Sequence, residues 1–311
     1  MEGIQLQTVL YENQPEDLMR SALSWKTALE GCRRKGMEIR GELLWGDASG
    51  KPLDKAFLKD VEEALQGSLD FTYVCFRENT GTSRGHNRLF PMGKGQYVLT
   101  MNPDLLASPD TLAELLGAFR DEKTGMVEAR QIPLEHPKAY DPADRKISWA
   151  SGACTLIRRA CFEALRGYDE HFFMYCDDVD LSWRARLAGW EILCCPEAVV
   201  YHGHDLDSLG RMRVTPADRR YSPEAEMMLM QRYAWPDALE ERKNQLRASS
   251  VPEEQEALKS FLDRDPSWTE IMDREHRVSH FPLYTGEASR FRPEDRISMD
   301  PAMPVYGYRH S

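Results

Sequence analysis

Ile4-Gln5-Leu6-Gln7-Thr8-Val9-Leu10-Tyr11 is a short apolar run with polar alternates, and behind it Glu16 to Leu29 sets Leu18, Ala22, Trp25 and Leu29 at helical spacing. This is a strand followed by a helix. Glu42 to Trp45 then runs into the turn-rich Gly46-Asp47-Ala48-Ser49-Gly50, a helix is expected from Phe57 to Leu65, and a further strand from Phe71 to Phe76. Strands that alternate with helices of this length predict an α/β fold built on a doubly wound, mainly parallel sheet.

Working outward, Asn79-Thr80-Gly81-Thr82-Ser83-Arg84-Gly85-His86-Asn87 reads as a glycine-rich turn, and Tyr97 to Met101 as a strand that runs into Asn102-Pro103-Asp104. Asp110 to Phe119 has a helix start signal in Pro109 and Asp110, and Gly125 to Arg130 reads as another strand. Pro133 to Trp149 is polar and proline-bearing, so it is expected to be a long loop of the kind that often carries function. Beyond Asp205 the chain turns charged and helical in pattern, over Pro223–Tyr233, Asp237–Leu246 and Glu253–Leu262. This places a boundary near Thr215, between a first domain over 1–215 and a helical extension over 216–311 whose stretch Phe281 to Tyr308 is expected to lie extended on the surface. The helices of the extension would pack on the sheet, cap a cleft or form a homo-oligomer contact.

Composition narrows the function. The 311 residues are 41% hydrophobic and 29% charged, enough for a full α/β core, and the net charge of −11 comes without any long Lys/Arg tract. Nucleic acid is therefore not an expected partner. No apolar run reaches the length of a membrane span, and a cytoplasmic protein is expected, with transient docking at the inner face of the membrane left open. Seven cysteines, odd in number and without a CxxC pair, argue against a disulfide framework or a zinc knuckle.

Ligands of an open parallel sheet bind beyond the carboxyl ends of its strands, which draws attention to polar residues just after a strand. Asp47, Asp104, His202 and His204 have that position. Taken singly, each aspartate fits a turn or a helix cap, and each histidine a structural role. Asn102 and Asp104, two apart on an extended segment, turn their oxygens to the same side and would suit a hard cation such as Mg or Mn. Asp177-Asp178-Val179-Asp180 puts three carboxylates beside the aromatic run Phe172, Phe173 and Tyr175. A helix start explains one or two of them through the dipole, but burial against aromatic surface would also raise a carboxyl pKa and suit a general base.

These pieces stand in one order: Ala150-Ser151-Gly152-Ala153-Cys154, Ile157-Arg158-Arg159, the block Gly167 to Leu181, then Arg184, Gly189 and Pro196-Glu197-Ala198-Val199-Val200-Tyr201-His202. In this the chain resembles the family-2 glycosyltransferases of the GT-A fold, in particular the bacterial rhamnosyl- and galactofuranosyl-transferase-like branch. The resemblance runs from about Ile4 to Ser208, with weaker matches at Tyr11, Gly46 to Ser49, Asn79 to Asn87 and Asn102 to Asp104. It implies an inverting transfer of a sugar from a nucleotide diphosphate donor, UDP- or dTDP-linked, to an acceptor saccharide or lipid-linked glycan. It implies Asp47 and Tyr11 at the nucleotide base, Asn79, Gly85, Asn87 and Asn102 along the donor, and Asp104 and His202 on a Mn or Mg ion. Asp178 takes the place of the catalytic base, 24 residues before His202. Trp149, Asp177 and Tyr175 are expected to face the acceptor, since sugars stack on rings and bond to carboxylates. Asn102 departs from the strict DxD of the family.

Two rivals are weighed against this. A sugar-1-phosphate nucleotidyltransferase would carry a basic, glycine-rich segment near the start, and Ile4 to Asp17 has no Gly, Lys or Arg. A scaffold that binds sugar nucleotides without turnover would have no need of Asp178.

Overall fold

The computed structural model describes residues 2–136, 138, 140–141, 143–203, 213–265 and 270–284. Strand β1 (Glu2–Leu10) leads through α1 (Pro15–Arg34) to β2 (Ile39–Asp47), and α2 (Lys55–Leu65) leads to β3 (Leu69–Cys75). Then come α3 (Gly81–Leu89), β4 (Tyr97–Met101), β5 (Leu105–Ala107), α4 (Thr111–Gly117), β6 (Thr124–Ile132), β7 (Cys154–Arg158) and α5 (Arg159–Ala164). The order closes with α6 (Asp177–Leu187), β8 (Glu191–His202), α7 (Pro216–Arg232), α8 (Pro236–Ala248) and α9 (Pro252–Asp263).

The strands lie in one sheet in the order β3-β2-β1-β4-β7-β6-β8-β5. β1, β2, β3 and β4 are mutually parallel and β6 is parallel to β8, while β7 runs antiparallel to both β4 and β6, and β5 antiparallel to β8. The mainly parallel, doubly wound sheet expected from sequence is present, with two reversed strands that the sequence did not announce. Because β6 and β8 run with β1 to β4, the carboxyl ends of β1, β2, β4, β6 and β8 share one edge.

The alternation in β1 has a different cause from a wet face. Ile4 and Leu6 are buried against α1 in the main core, and Gln5 and Gln7 on the other face are equally closed off. Gln5 Nε2 donates to Gln7 Oε1 (2.9 Å) and to the Leu89 carbonyl (3.2 Å), and Gln7 Nε2 donates to the His86 carbonyl (3.3 Å). The polar alternates are thus spent on α3, as a buried amide must be. Burial holds His86 neutral, its pKa pushed down to about 3.

The stretch expected as a glycine turn is helix α3. Gly81 opens it at φ +64°, where a side chain would lie 2.0 Å from the Phe173 carbonyl oxygen, and Gly85 inside it leaves room for the side chain of Val9 on β1. The glycines serve close packing, and the rest of the segment has enough helical character to close a turn around them.

The boundary at Thr215 is the N-cap of α7, closed by a reciprocal capping box with Asp218. The side chains on the two sides of it share one core: Trp149, Phe172, Val179 and Trp183 pack with Met227, Leu229, Tyr233, Leu246 and Phe261 of the helices beyond. Of the tail expected to be extended on the surface, Leu283 is buried and Phe281 packs edge-on against Trp183; positions 285–308 lie outside the described residues.

Candidate active site

β8 carries Pro196 inside a strand, which costs a ladder hydrogen bond. The register absorbs it: Ala129 of β6 faces Cys195, while its neighbour Arg130 faces Val199, so residues 196–198 bulge out. After the bulge Val200 faces Gln131, and His202, two residues on, lies on the same face. There His202 Nδ1 meets Gln131 Oε1 at 3.0 Å. An acceptor oxygen at that nitrogen places the proton on Nδ1 and leaves a lone pair on Nε2. Asn102 Nδ2 lies 3.2 Å from Nε2, where it donates to that lone pair, and Asp104 Oδ1 lies 3.4 Å from the same atom.

Asp104 Oδ1 and the Asn102 amide thus flank one nitrogen of the imidazole. The donor set, one carboxylate, one imidazole and the amide of Asn102, suits Mn or Mg in chemistry, and Gln131 orients the imidazole as ligand-supporting partners do. Among the described residues no three His, Cys, Asp or Glu side chains come together in a group that could hold a metal ion. His204 lies outside the described residues.

On the other side of the same wall stands Asp178. The Asn102 N–H donates to the Ala153 carbonyl (2.9 Å), and the Gly152 N–H, one residue earlier, donates to Asp178 Oδ2 (2.7 Å). Residues 152 and 153 therefore separate the Asn102–Asp104–His202 group from Asp178 by the width of one chain. Asp178 Oδ1 accepts from the N–H of Val179 (2.8 Å). The side chain keeps part of its surface open, yet protein crowds it on all other sides. Burial, and then the Asp177 charge beside it, push its pKa up to about 7, against the pull of the Gly152 N–H and of Lys138.

Asp178 reaches this place through an unusual turn. Tyr175 and Cys176 both hold left-handed backbone, at φ +65° and +54°, and Cys176 is the N-cap of α6. Such residues cost on the order of 1–3 kcal/mol each and persist where their surroundings hold them. Here the Tyr175 hydroxyl donates to Asp218 at the start of α7, and the Phe173 carbonyl accepts from the Thr82 N–H (2.8 Å).

The remaining candidates take varied places. Asp47 ends β2, buried, with Oδ1 accepting from the Ser49 N–H (2.8 Å) and Oδ2 from the Tyr73 hydroxyl (2.6 Å). Burial and that carboxylate push the Tyr73 phenol well above its usual range. Tyr11 is exposed next to it, and the Glu12 N–H and Ser49 Oγ (2.8 Å) join the two loops. Asn79 caps the Gly81 N–H (3.1 Å). Asn87 does not face the cleft with both ends of its amide: Nδ2 donates to the Tyr168 carbonyl (2.9 Å) and Oδ1 accepts from the Tyr168 N–H (2.9 Å).

The acceptor-side expectations are placed differently from one another. Asp177 turns away from Asp178 toward α3, where Thr82 Oγ1 (2.7 Å) and Ser83 Oγ (3.1 Å) donate to it, and burial raises its pKa. Trp149 is only 2% exposed, with its indole N–H directed at the Leu283 carbonyl (3.3 Å), so its ring packs in the core. A cavity of about 110 Å³ lies elsewhere, between Phe172–Met174 and helices α7 and α9, and the Glu224 carboxylate at it is occupied by Arg220, Arg264 and Ser260.

Sequence reasoning passed over Gln131, Glu128, Lys138 and Tyr73. Gln131 and Glu128 left one signal, a polar residue inside the strand Thr124–Ile132.

Comparison with known proteins gives two family models, "Glycosyl transferase family 2" over residues 47–182 and "Glycosyltransferase like family 2" over residues 138–235. An N-acetylglucosaminyl-diphospho-decaprenol L-rhamnosyltransferase of Mycobacterium tuberculosis is 40% identical over 97 residues, 31% of this chain and 29% of the relative. The rhamnosyltransferase WbbL of Escherichia coli is 28% identical over 141 residues, 35% of this chain and 53% of the relative. The matched regions thus span between about a third and a half of these relatives. Among solved structures, the mannosyltransferase PcManGT of Pyrobaculum calidifontis, in complex with GDP-Man and Mn2+, superposes with a TM-score of 0.55 at 18% identity over 86% of this chain and 83% of that one. GalNAc-T7 with UDP, GalNAc and Mn2+ does so at 0.60 and 15% identity over 85% and 56%. These structural likenesses establish a GT-A fold.

Proposed function

We propose that the chain is a family-2 glycosyltransferase of the rhamnosyltransferase-like branch and moves a sugar, L-rhamnose in the first place, from a UDP- or dTDP-linked donor to a hydroxyl of a saccharide or lipid-linked glycan, with inversion at the anomeric carbon. One observation carries this reading: a carboxylate with a raised pKa and a carboxylate–imidazole pair stand on either side of residues 152 and 153.

Asp178 accepts the proton of the acceptor hydroxyl while that oxygen bonds to the anomeric carbon. The bond from that carbon to the diphosphate breaks on the opposite side, and the diphosphate leaves with the electron pair. Asp104 and His202, with Asn102 beside them, would hold Mn or Mg, which when bound offsets the charge that grows on the diphosphate. Asp47 and Tyr11 hold the nucleotide base, and Asn79 and Asn102 line the donor. The Tyr73 hydroxyl fixes the Asp47 carboxylate in the orientation that it presents.

The test is a donor screen. Purified protein with Mn is melted in the presence of UDP-, dTDP- and GDP-linked sugars, and the donor that raises the Tm is offered with acceptor glycans. A stabilising dTDP- or UDP-sugar that is turned over supports the proposal. Binding without transfer or hydrolysis for any donor would favour a scaffold that has kept the fold alone.

A further inference from the structure

β6 and its connection to β7 bring two ionisable side chains, Glu128 and Lys138, into the interior close to Asp178. Lys138 Nζ lies 2.8 Å from Glu128 Oε1, and the two side chains are 1% and 0% exposed. The ammonium also sits 3.6 Å from the centre of the Trp149 ring. Glu128 Oε1 accepts a second bond, from the Ser151 N–H (3.1 Å), and the next N–H along the chain is the one that Gly152 donates to Asp178 Oδ2. Desolvation offsets most of the attraction within a buried ion pair, so such a pair is a poor source of stability. What this one does have is a direct bond to the peptide that meets Asp178.

We infer that Glu128 and Lys138 are positioning residues: Glu128 fixes Ser151 so that the Gly152 N–H points at Asp178, and Lys138 neutralises Glu128 so that its charge does not disturb the carboxylate that receives the proton. The inference rests on Asp178 as proton acceptor, and it is tested independently of that role. Among the described residues, the charged or titratable groups around Asp178 are Asp177 beside it, Lys138 with its partner Glu128 behind it, and Tyr168 and Cys176, whose burial keeps them neutral. Of the charged groups among them, Glu128 and Lys138 can be altered without touching α6 or its N-cap.

The experiment follows the 13C signal of the Asp178 side-chain carboxyl through a pH titration, in folded protein without metal or nucleotide, with Asp178→Asn as the assignment control. Glu128→Gln removes the negative charge that faces the ammonium and lowers the midpoint by about half a pH unit or more, and Lys138→Met removes the positive charge that faces the carboxylate and raises it by a similar amount. The volume-matched double variant E128Q/K138M returns to within about 0.3 of the starting value, since both charges are gone. A second comparison reads position: E128Q/K138M keeps an acceptor for Ser151, E128L/K138M does not, and only the latter speeds hydrogen exchange at the Gly152 amide, by about tenfold. Midpoints that coincide across the set, or a Gly152 amide unmoved in E128L/K138M, overturn the inference. Turnover of a nucleotide sugar retained by Asp178→Asn would instead remove the base role, a result that the titration does not depend on.

Discussion

At the scale of single residues, the site works through what each polar atom has for a neighbour. Asp178 has an N–H on each oxygen and Asp177 next door, and the balance leaves it near pH 7. The sign follows directly: a base must be deprotonated, so transfer should rise with pH through about 7 and fall about tenfold for each unit below it. A pH–rate profile of kcat on the identified donor checks this, and an acid limb near 4 would contradict it. Asp178→Asn should lower kcat by a factor of about 10² to 10⁴ with donor affinity nearly intact. Lost affinity would put Asp178 among the metal ligands. His202→Ala should abolish Mn-dependent donor binding, and Gln131→Leu, which leaves the ring but frees its orientation, should weaken Mn affinity about 10- to 100-fold, read by titration calorimetry. An unchanged affinity in Gln131→Leu would mean that Asn102 alone sets the tautomer.

At the scale of elements, the block from Gly167 to Leu187 is held by side chains from α7. Asp180, wholly buried, accepts from Arg184 Nε (2.7 Å) and Tyr233 Oη (3.0 Å), and Arg232 Nε stands 3.1 Å from it while the same guanidinium binds Asp169. Arg232→Met removes one partner and leaves buried charge behind, which should cost about 3–5 kcal/mol in chemical denaturation. A loss under 1 kcal/mol would mean that Arg184 and Tyr233 suffice. A fragment ending at residue 215 should bind apolar dyes and lack a cooperative melt, because Phe172, Val179 and Trp183 lose their cover. The division at Thr215 is thus a change of composition and not a line across which packing stops.

This is also where the limits of the sequence lie. The strand–helix alternation over residues 4–76 is legible because each period is local, and the acids and the imidazole at strand ends are legible because strand ends are. α3 is hidden by its glycines, whose reason is the approach of Phe173 and Val9 from far along the chain. β7, with Cys154 to Ile157 all buried, has no alternation to betray its reversed direction. Trp149 reads as a sugar platform only while nothing is known of Lys138 and Leu283, which bury it.

At the scale of the whole molecule, six co-directional strands bring their carboxyl ends to one edge of a protein with a net charge of −11. A sugar nucleotide is anionic, so its binding to such a body should depend on a cation. The donor-induced rise in Tm should vanish with EDTA and return with Mn; a rise that survives EDTA would point to Lys or Arg contacts with the diphosphate in place of the Asp104–His202 pair. Among the described residues no helix is long and apolar enough to cross a membrane. If the proposed lipid-linked acceptor is met at a bilayer surface, the protein should float with vesicles that carry anionic lipid and not with neutral ones; no flotation with either would contradict it.

The two left-handed residues ahead of α6 have an implication for how the site could be tuned. Because Tyr175 is tethered to the first turn of α7, a substitution at Asp218 would loosen the turn that carries Asp178. A change in the remote helices could therefore shift Asp178 while leaving every residue around its carboxylate unaltered.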